Sequence, residues 1–166
     1  MQKILVVTLL MMSMLSCSQP PKVKDADEFG KKIFDLFKEG KKETIVNYLI
    51  TKGEVKKVFS DNKEYNDLNE VEKNELVNAS YDRMRNDAMT FIEFYTDKKS
   101  KESALLQKGI FEKVSSHGKN DNGPPAIRIE VVFMSDGQKY YLNLDASKID
   151  DYWKLLSWIE LKKSFR

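Results

Sequence analysis

The chain has 166 residues, with 28 basic side chains against 26 acidic ones, a single histidine and a single cysteine. That near-balance argues against the unmatched basic face of a nucleic-acid binder, and one cysteine excludes an intrachain disulfide. The length suits one domain with a real hydrophobic core and is short for two.

At the N-terminus, Lys3 precedes an apolar run over residues 4–15, which ends in Leu15-Ser16-Cys17-Ser18. A basic start, a short apolar segment and a small residue before a cleavage point make a secretory signal. The run is shorter than the roughly 20 apolar residues a spanning helix needs. The chain's one cysteine stands where the signal ends, and this resembles the signal peptide of a bacterial lipoprotein. The resemblance implies that residues 1–16 are removed and that Cys17 carries the lipid anchor, with the membrane as partner. An ordinary secreted protein cleaved nearby is the alternative. Ser18 and Gln19 lack the acidic residue associated with inner-membrane retention in some bacteria, so the expected location is the cell envelope, with the outer membrane favoured. Removing the signal takes away only Lys3 among charged side chains and leaves a nearly neutral, highly charged domain.

Residues 17–24 read as a tether, polar and extended around Pro20-Pro21, and residues 25–166 as the domain. Asp25 and Glu28 mark a helix start. Phe29, Ile33, Leu36 and Phe37 follow at helical spacing up to Gly40. Lys31, Lys32 and Lys38 fall largely on the other faces, which also suits a helix lying on lipid. A second short helix is predicted over residues 42–49 with Ile45, Val46 and Leu49 inward, and another turn or two over 53–59 through Val55, Val58 and Phe59. Residues 60–67 are polar and turn-like. From Leu68 a long helix is expected, with Val71, Leu76, Ala79, Met84, Ala88, Phe91, Ile92 and Tyr95 near one stripe. Charge over residues 83–87 interrupts that stripe and predicts a kink, and residues 96–100 end the helix.

After Gly109 the pattern becomes strand-like. Residues 110–114 form a modest strand, and residues 126–134 a stronger one with Ile127, Ile129, Val131 and Phe133 on one face. Asp136-Gly137 suits a tight hairpin leading into a strand over 139–144. A connector over 145–151 then precedes a final strand, Tyr152 to Leu161. The fold class is therefore α+β: N-terminal helices packed on a C-terminal antiparallel sheet of about four strands. Helices first, then a meander ending in Tyr-Trp-Lys-Leu-Leu-Ser-Trp-Ile, resembles the cystatin-like cone of the nuclear transport factor 2-like superfamily over about residues 26–161.

Candidate chemistry is sparse. His117 lies in a loop by composition and has no companions for a zinc site or triad. Aligning Asn120-Asp121-Asn122-Gly123 on an EF-hand loop puts Gly118 and Ile129 where carboxylates belong, so calcium chemistry is not supported. The superfamily includes small isomerases and cyclases with an acid/base aspartate beside tyrosines. Tyr81, Asp82, Asp87, Tyr95, Tyr140 and Tyr141 match no catalytic set residue by residue, and Asp87 reads as a solvated carboxylate. No phosphate loop, nucleophile elbow, metal cluster or cofactor motif occurs, so no catalytic residue, cofactor or metal is assigned.

Contact residues are better represented. Trp153 and Trp158 stand five apart, on opposite faces of a regular strand, so without a bulge one belongs to the core and the other either packs under a loop or offers a binding contact. Tyr140 and Tyr141 alternate in the same way. The expected function is a non-enzymatic, lipid-anchored domain binding a small apolar ligand, a peptide or a protein partner on the sheet's concave face. Alternatives are a small cofactor-independent pocket enzyme of the resembled superfamily, and an envelope inhibitor or immunity-type protein.

Overall fold

A computed structural model describes residues 22–118 and 126–164. Cys17 and the Asn120–Gly123 segment lie outside the described residues. Among the described residues six helices precede four strands: α1 (Ala26–Lys38), α2 (Lys42–Val46), α3 (Lys52–Ser60), α4 (Lys63–Asn66), α5 (Glu70–Thr96), α6 (Lys101–Gln107), then β1 (Ile110–His117), β2 (Ala126–Ser135), β3 (Gln138–Ile149) and β4 (Tyr152–Lys163). The sheet is an antiparallel meander in the order β1-β2-β3-β4. The molecule is thus α+β, with helices laid on a four-stranded antiparallel sheet.

Helix starts follow side-chain capping. Asp25 accepts from the Glu28 amide at 2.8 Å, and Thr51/Glu54 and Asn69/Glu72 form reciprocal capping boxes. Helix α5 runs unbroken through the charged stretch that predicts a kink. Its buried line passes through Val77, Ala88, Ile92 and Tyr95, with Tyr81, Met84 and Phe91 half-buried between them. That three-or-four-residue spacing survives the charges, because Met84 and Ala88 carry the apolar stripe across them. Val71, 66% exposed, and Leu76 point to solvent, contrary to the stripe drawn from sequence. Two short helices, α4 and α6, arise where sequence patterning gives turns or nothing. Asn62 and Ser100 cap them, and Tyr65, Ser103 and Leu106 are buried.

Helix α1 lies across β1 and β2, and α5 packs against β4. Phe29, Ile33, Phe34 and Phe37 of α1 meet Ile129, Val131, Phe133, Leu142, Leu144 and Leu155 of the sheet, all fully buried. A second cluster joins Ile50, Val55, Tyr65, Val77 and Ile149 under α3 and α4. The hairpin turn Asp136-Gly137 has positive φ at both residues, as the sequence predicts. The expected long connector after Leu144 is instead strand: β3 continues to Ile149, and only Asp150-Asp151, with φ of 49° and 69°, make the turn.

The outer edge of β4 is closed by other parts of the chain. Trp153 donates its backbone N–H to Val23, Leu155 donates to Tyr48, and Ile50 donates to Leu155, at 2.9–3.0 Å. Leu161 donates to the Tyr95 hydroxyl at 3.0 Å. An edge strand otherwise open to pairing is blunted in this way. Residues 22–24, read from sequence as part of the tether, lie against this edge, with Val23 buried in the main core.

Candidate functional site at the α5–β4 rim

The two tryptophans part company as their spacing predicts. Trp153 is 8% exposed and belongs to the main core, whereas Trp158 is 42% exposed. Between them the register slips: Leu144 pairs with Ile159 and Ala146 with Leu155, so residues 156–158 oppose Asp145 alone. The bulge pushes Trp158 out of the sheet toward α5, the usual effect of extra residues on one strand.

There the indole meets Phe91 edge to face, with ring centroids 5.4 Å apart, and Phe91 in turn stacks on Tyr95 at 6.4 Å. Phe94, 48% exposed, extends the aromatic run along α5 through its contact with Tyr95. A groove of about 560 Å³ opens beside Trp158, lined by Phe59, Met84, Arg83, Asp87, Arg128 and Asp145 among others. Arg128 Nε donates to Asp145 Oδ1 at 3.0 Å, and Arg83 Nε lies 4.0 Å from Asp87 Oδ2. Hydrogen bonding to Asp145, then its charge, raises the Arg128 pKa above the ordinary value. On the neighbouring strand position, the hydrogen bond from Lys162 is the main cause holding Glu160 below the usual carboxylate range.

Aromatic faces flanked by two arginine–carboxylate pairs offer apolar area and planar, bidentate-capable charge together. Sequence spacing says that one of the two tryptophans is exposed but not which, and the joint contribution of Arg83, Asp87, Arg128 and Asp145 is invisible there. They come from three elements: Arg83 and Asp87 stand one turn apart on α5, and Arg128 and Asp145 are cross-strand partners on β2 and β3.

Of the other sequence candidates, Asp87 and Tyr95 also belong to this rim, and the rest lie elsewhere. Tyr140 stacks on Phe133 at 5.6 Å and packs against the core, while Tyr141 sits on the opposite face beside Val132. Both are half-buried, so neither is the exposed tyrosine that strand alternation predicts. Asp87 is exposed on α5, and Tyr81 packs in the second cluster. His117 ends β1 opposite Arg128, exposed, in a strand and not in the loop expected from composition. Among the described residues, no three His, Cys, Asp or Glu side chains are grouped to hold a metal ion, and no helix is long and apolar enough to cross a membrane.

Fold and rim together define an α+β protein with a packed interior and an aromatic, charge-flanked groove at one sheet edge. Comparison with known proteins finds no family model, no curated protein and no solved structure that matches the chain.

Proposed function

We propose that this is a membrane-anchored extracytoplasmic lipoprotein whose domain recognises a peptide or protein partner through the groove around Trp158. The observation that carries the recognition reading is the contrast between interior and rim. The sheet's inner face is filled by Phe29, Ile33, Phe34 and Phe37, all fully buried, while Trp158 stands exposed beside Phe91. A filled interior favours surface recognition over an enclosed apolar ligand or a pocket enzyme, both of which need space where α1 packs. Tryptophan and arginine in one groove are the residue types that dominate partner-binding energetics.

The anchor reading rests on Cys17 at the end of the apolar leader. The fold is read as the cystatin-like cone of the nuclear transport factor 2-like superfamily, on the strength of a helix crossing a four-stranded meander. Affinity capture from membranes of the native host, with the anchor intact, tests the recognition reading. A protein recovered with the wild-type chain and lost with Trp158→Ala supports it. A partner retained equally by Trp158→Ala, or a small molecule copurifying inside the domain, overturns it. Cys17→Ser found still processed and still in the membrane fraction sinks the anchor.

A further inference from the structure

The lipid anchor, if Cys17 carries it, leaves the domain little freedom. Val23 is buried in the core, and its carbonyl accepts from the Trp153 amide at 2.9 Å, so the chain is fixed at the start of β4. Five residue steps separate Lys22 from Cys17, a span of at most about 18 Å even when fully extended. The end of the molecule bearing Lys22 and the β3–β4 turn is therefore the end nearest the bilayer.

That end has a distinctive surface. Lys22 Nζ lies 4.6 Å and Lys24 Nζ 5.6 Å from the centre of the half-buried Tyr152 ring. Both lysines are exposed, and neither forms an ion pair among the described residues. Three carboxylates at this end are already engaged. Asp150 pairs with Lys57, Glu54 with Lys154 at 3.2 Å, and Asp25 caps α1 through the Glu28 amide. Asp151 at the turn, and Asp27 and Glu28 in the first turn of α1, have no such partner for their carboxylates among the described residues. A groove of about 330 Å³ runs between Lys22, Tyr152, Lys154 and Glu54.

We infer that Lys22, Lys24 and Tyr152 seat the domain on an anionic lipid surface. The inference rests on the anchor proposed above. Lysines near such a surface are drawn to its headgroups, and tyrosine is enriched at the level where headgroups meet acyl chains. Seating this end would hold the molecule in one orientation, with β4 leading away from the bilayer toward the Trp158 groove.

Amine labelling of the full lipidated chain in vesicles tests the seat. The protein is reconstituted into phosphatidylcholine alone or into an equal mixture with phosphatidylglycerol, and acylation of each lysine is followed by mass spectrometry. Lys163, at the far end of β4, serves as the internal standard. Lys22 and Lys24 are expected to label about tenfold more slowly in the anionic vesicles at low salt. The protection should fade at about 0.5 M salt, where the Debye length shrinks to a few ångströms. Equal labelling in both vesicles overturns the seat and leaves the anchor standing. A chain without an acyl mass on Cys17 overturns the anchor, and the seat with it.

Discussion

The backbone N–H of Leu161 donates to the phenolic oxygen of Tyr95 at 3.0 Å, so a side chain of α5 closes the edge of β4 where no further strand pairs. Tyr48 makes the opposite case. It is also buried, packing edge to face on Phe29, but its hydroxyl has no hydrogen-bond partner among the described residues. Removing the two hydroxyls should therefore have different effects. Tyr95→Phe leaves an amide unpaired and should cost about 1–2 kcal/mol. Tyr48→Phe removes a group that was desolvated without return, and should be neutral or slightly stabilising. Urea unfolding at neutral pH separates the two, and equal losses would contradict the assignment.

The same two tyrosines set an alkaline limit. Burial raises both phenol pKa values above the ordinary range, and for Tyr95 this desolvation outweighs the opposing backbone hydrogen bond. A raised folded-state pKa means that the unfolded chain releases its protons first as pH climbs. Stability from this source is complete below the unfolded value of about 10 and is lost as pH rises through the folded values. The urea midpoint should fall steadily above about pH 10, and less steeply in the Tyr48→Phe, Tyr95→Phe double variant. Identical slopes for double variant and wild type would rule out these groups as the cause.

Trp153 and Trp158 provide a second contrasting pair. Truncating Trp153 opens a hole in the main core and removes the side chain at the point where Val23 is held. Trp153→Ala should cost about 3–5 kcal/mol. Trp158→Ala loses chiefly the contact with Phe91 and should cost about 1 kcal/mol, in line with an aromatic pair at a surface. Thermal unfolding distinguishes them, and comparable destabilisation would mean that Trp158 is a core residue and not a rim contact.

Legibility in the sequence followed the range of the interaction. Asp136-Gly137 is readable because glycine signals positive φ locally, whereas Asp150-Asp151 adopts the same backbone without glycine and hides inside an apparent connector. The α1 face is readable because Phe29, Ile33, Leu36 and Phe37 repeat over a short, capped helix. In α5 the apolar pattern of the sequence runs through Val71 and Leu76, which the structure leaves exposed. In the first turns of the helix Lys73 covers the Tyr65 ring at 5.8 Å, and the buried apolar line begins only at Val77. Helix α6 is too short for periodicity to reveal. The closure of β4 by Val23, Tyr48 and Tyr95 joins residues far apart in the chain, and no local pattern encodes it. The rim site divides the same way: alternation shows that one of Trp153 and Trp158 is exposed but not which, and it shows nothing of the charged neighbours.

Gly30 and Gly53 both lie in helices, and ordinary propensity favours alanine at such positions by roughly 0.5–1 kcal/mol. Their surroundings reverse the outcome for one of them. A Cβ at Gly53 meets nothing within 4 Å, so Gly53→Ala should stabilise by about 0.5 kcal/mol. A Cβ at Gly30 would sit 2.6 Å from Ile129 Cγ2 and 3.0 Å from Val114 Cγ1. Both are branched side chains on the strands beneath α1, and Ile129 is fully buried, so little room exists for them to yield. Overpacking of this kind costs about 1–3 kcal/mol, which outweighs the propensity gain. Gly30→Ala should therefore lower the urea midpoint while Gly53→Ala raises it. If Gly30→Ala proved as stable as Gly53→Ala, α1 could not lie as close to β1 and β2 as the packing of Phe29, Ile33 and Phe34 requires.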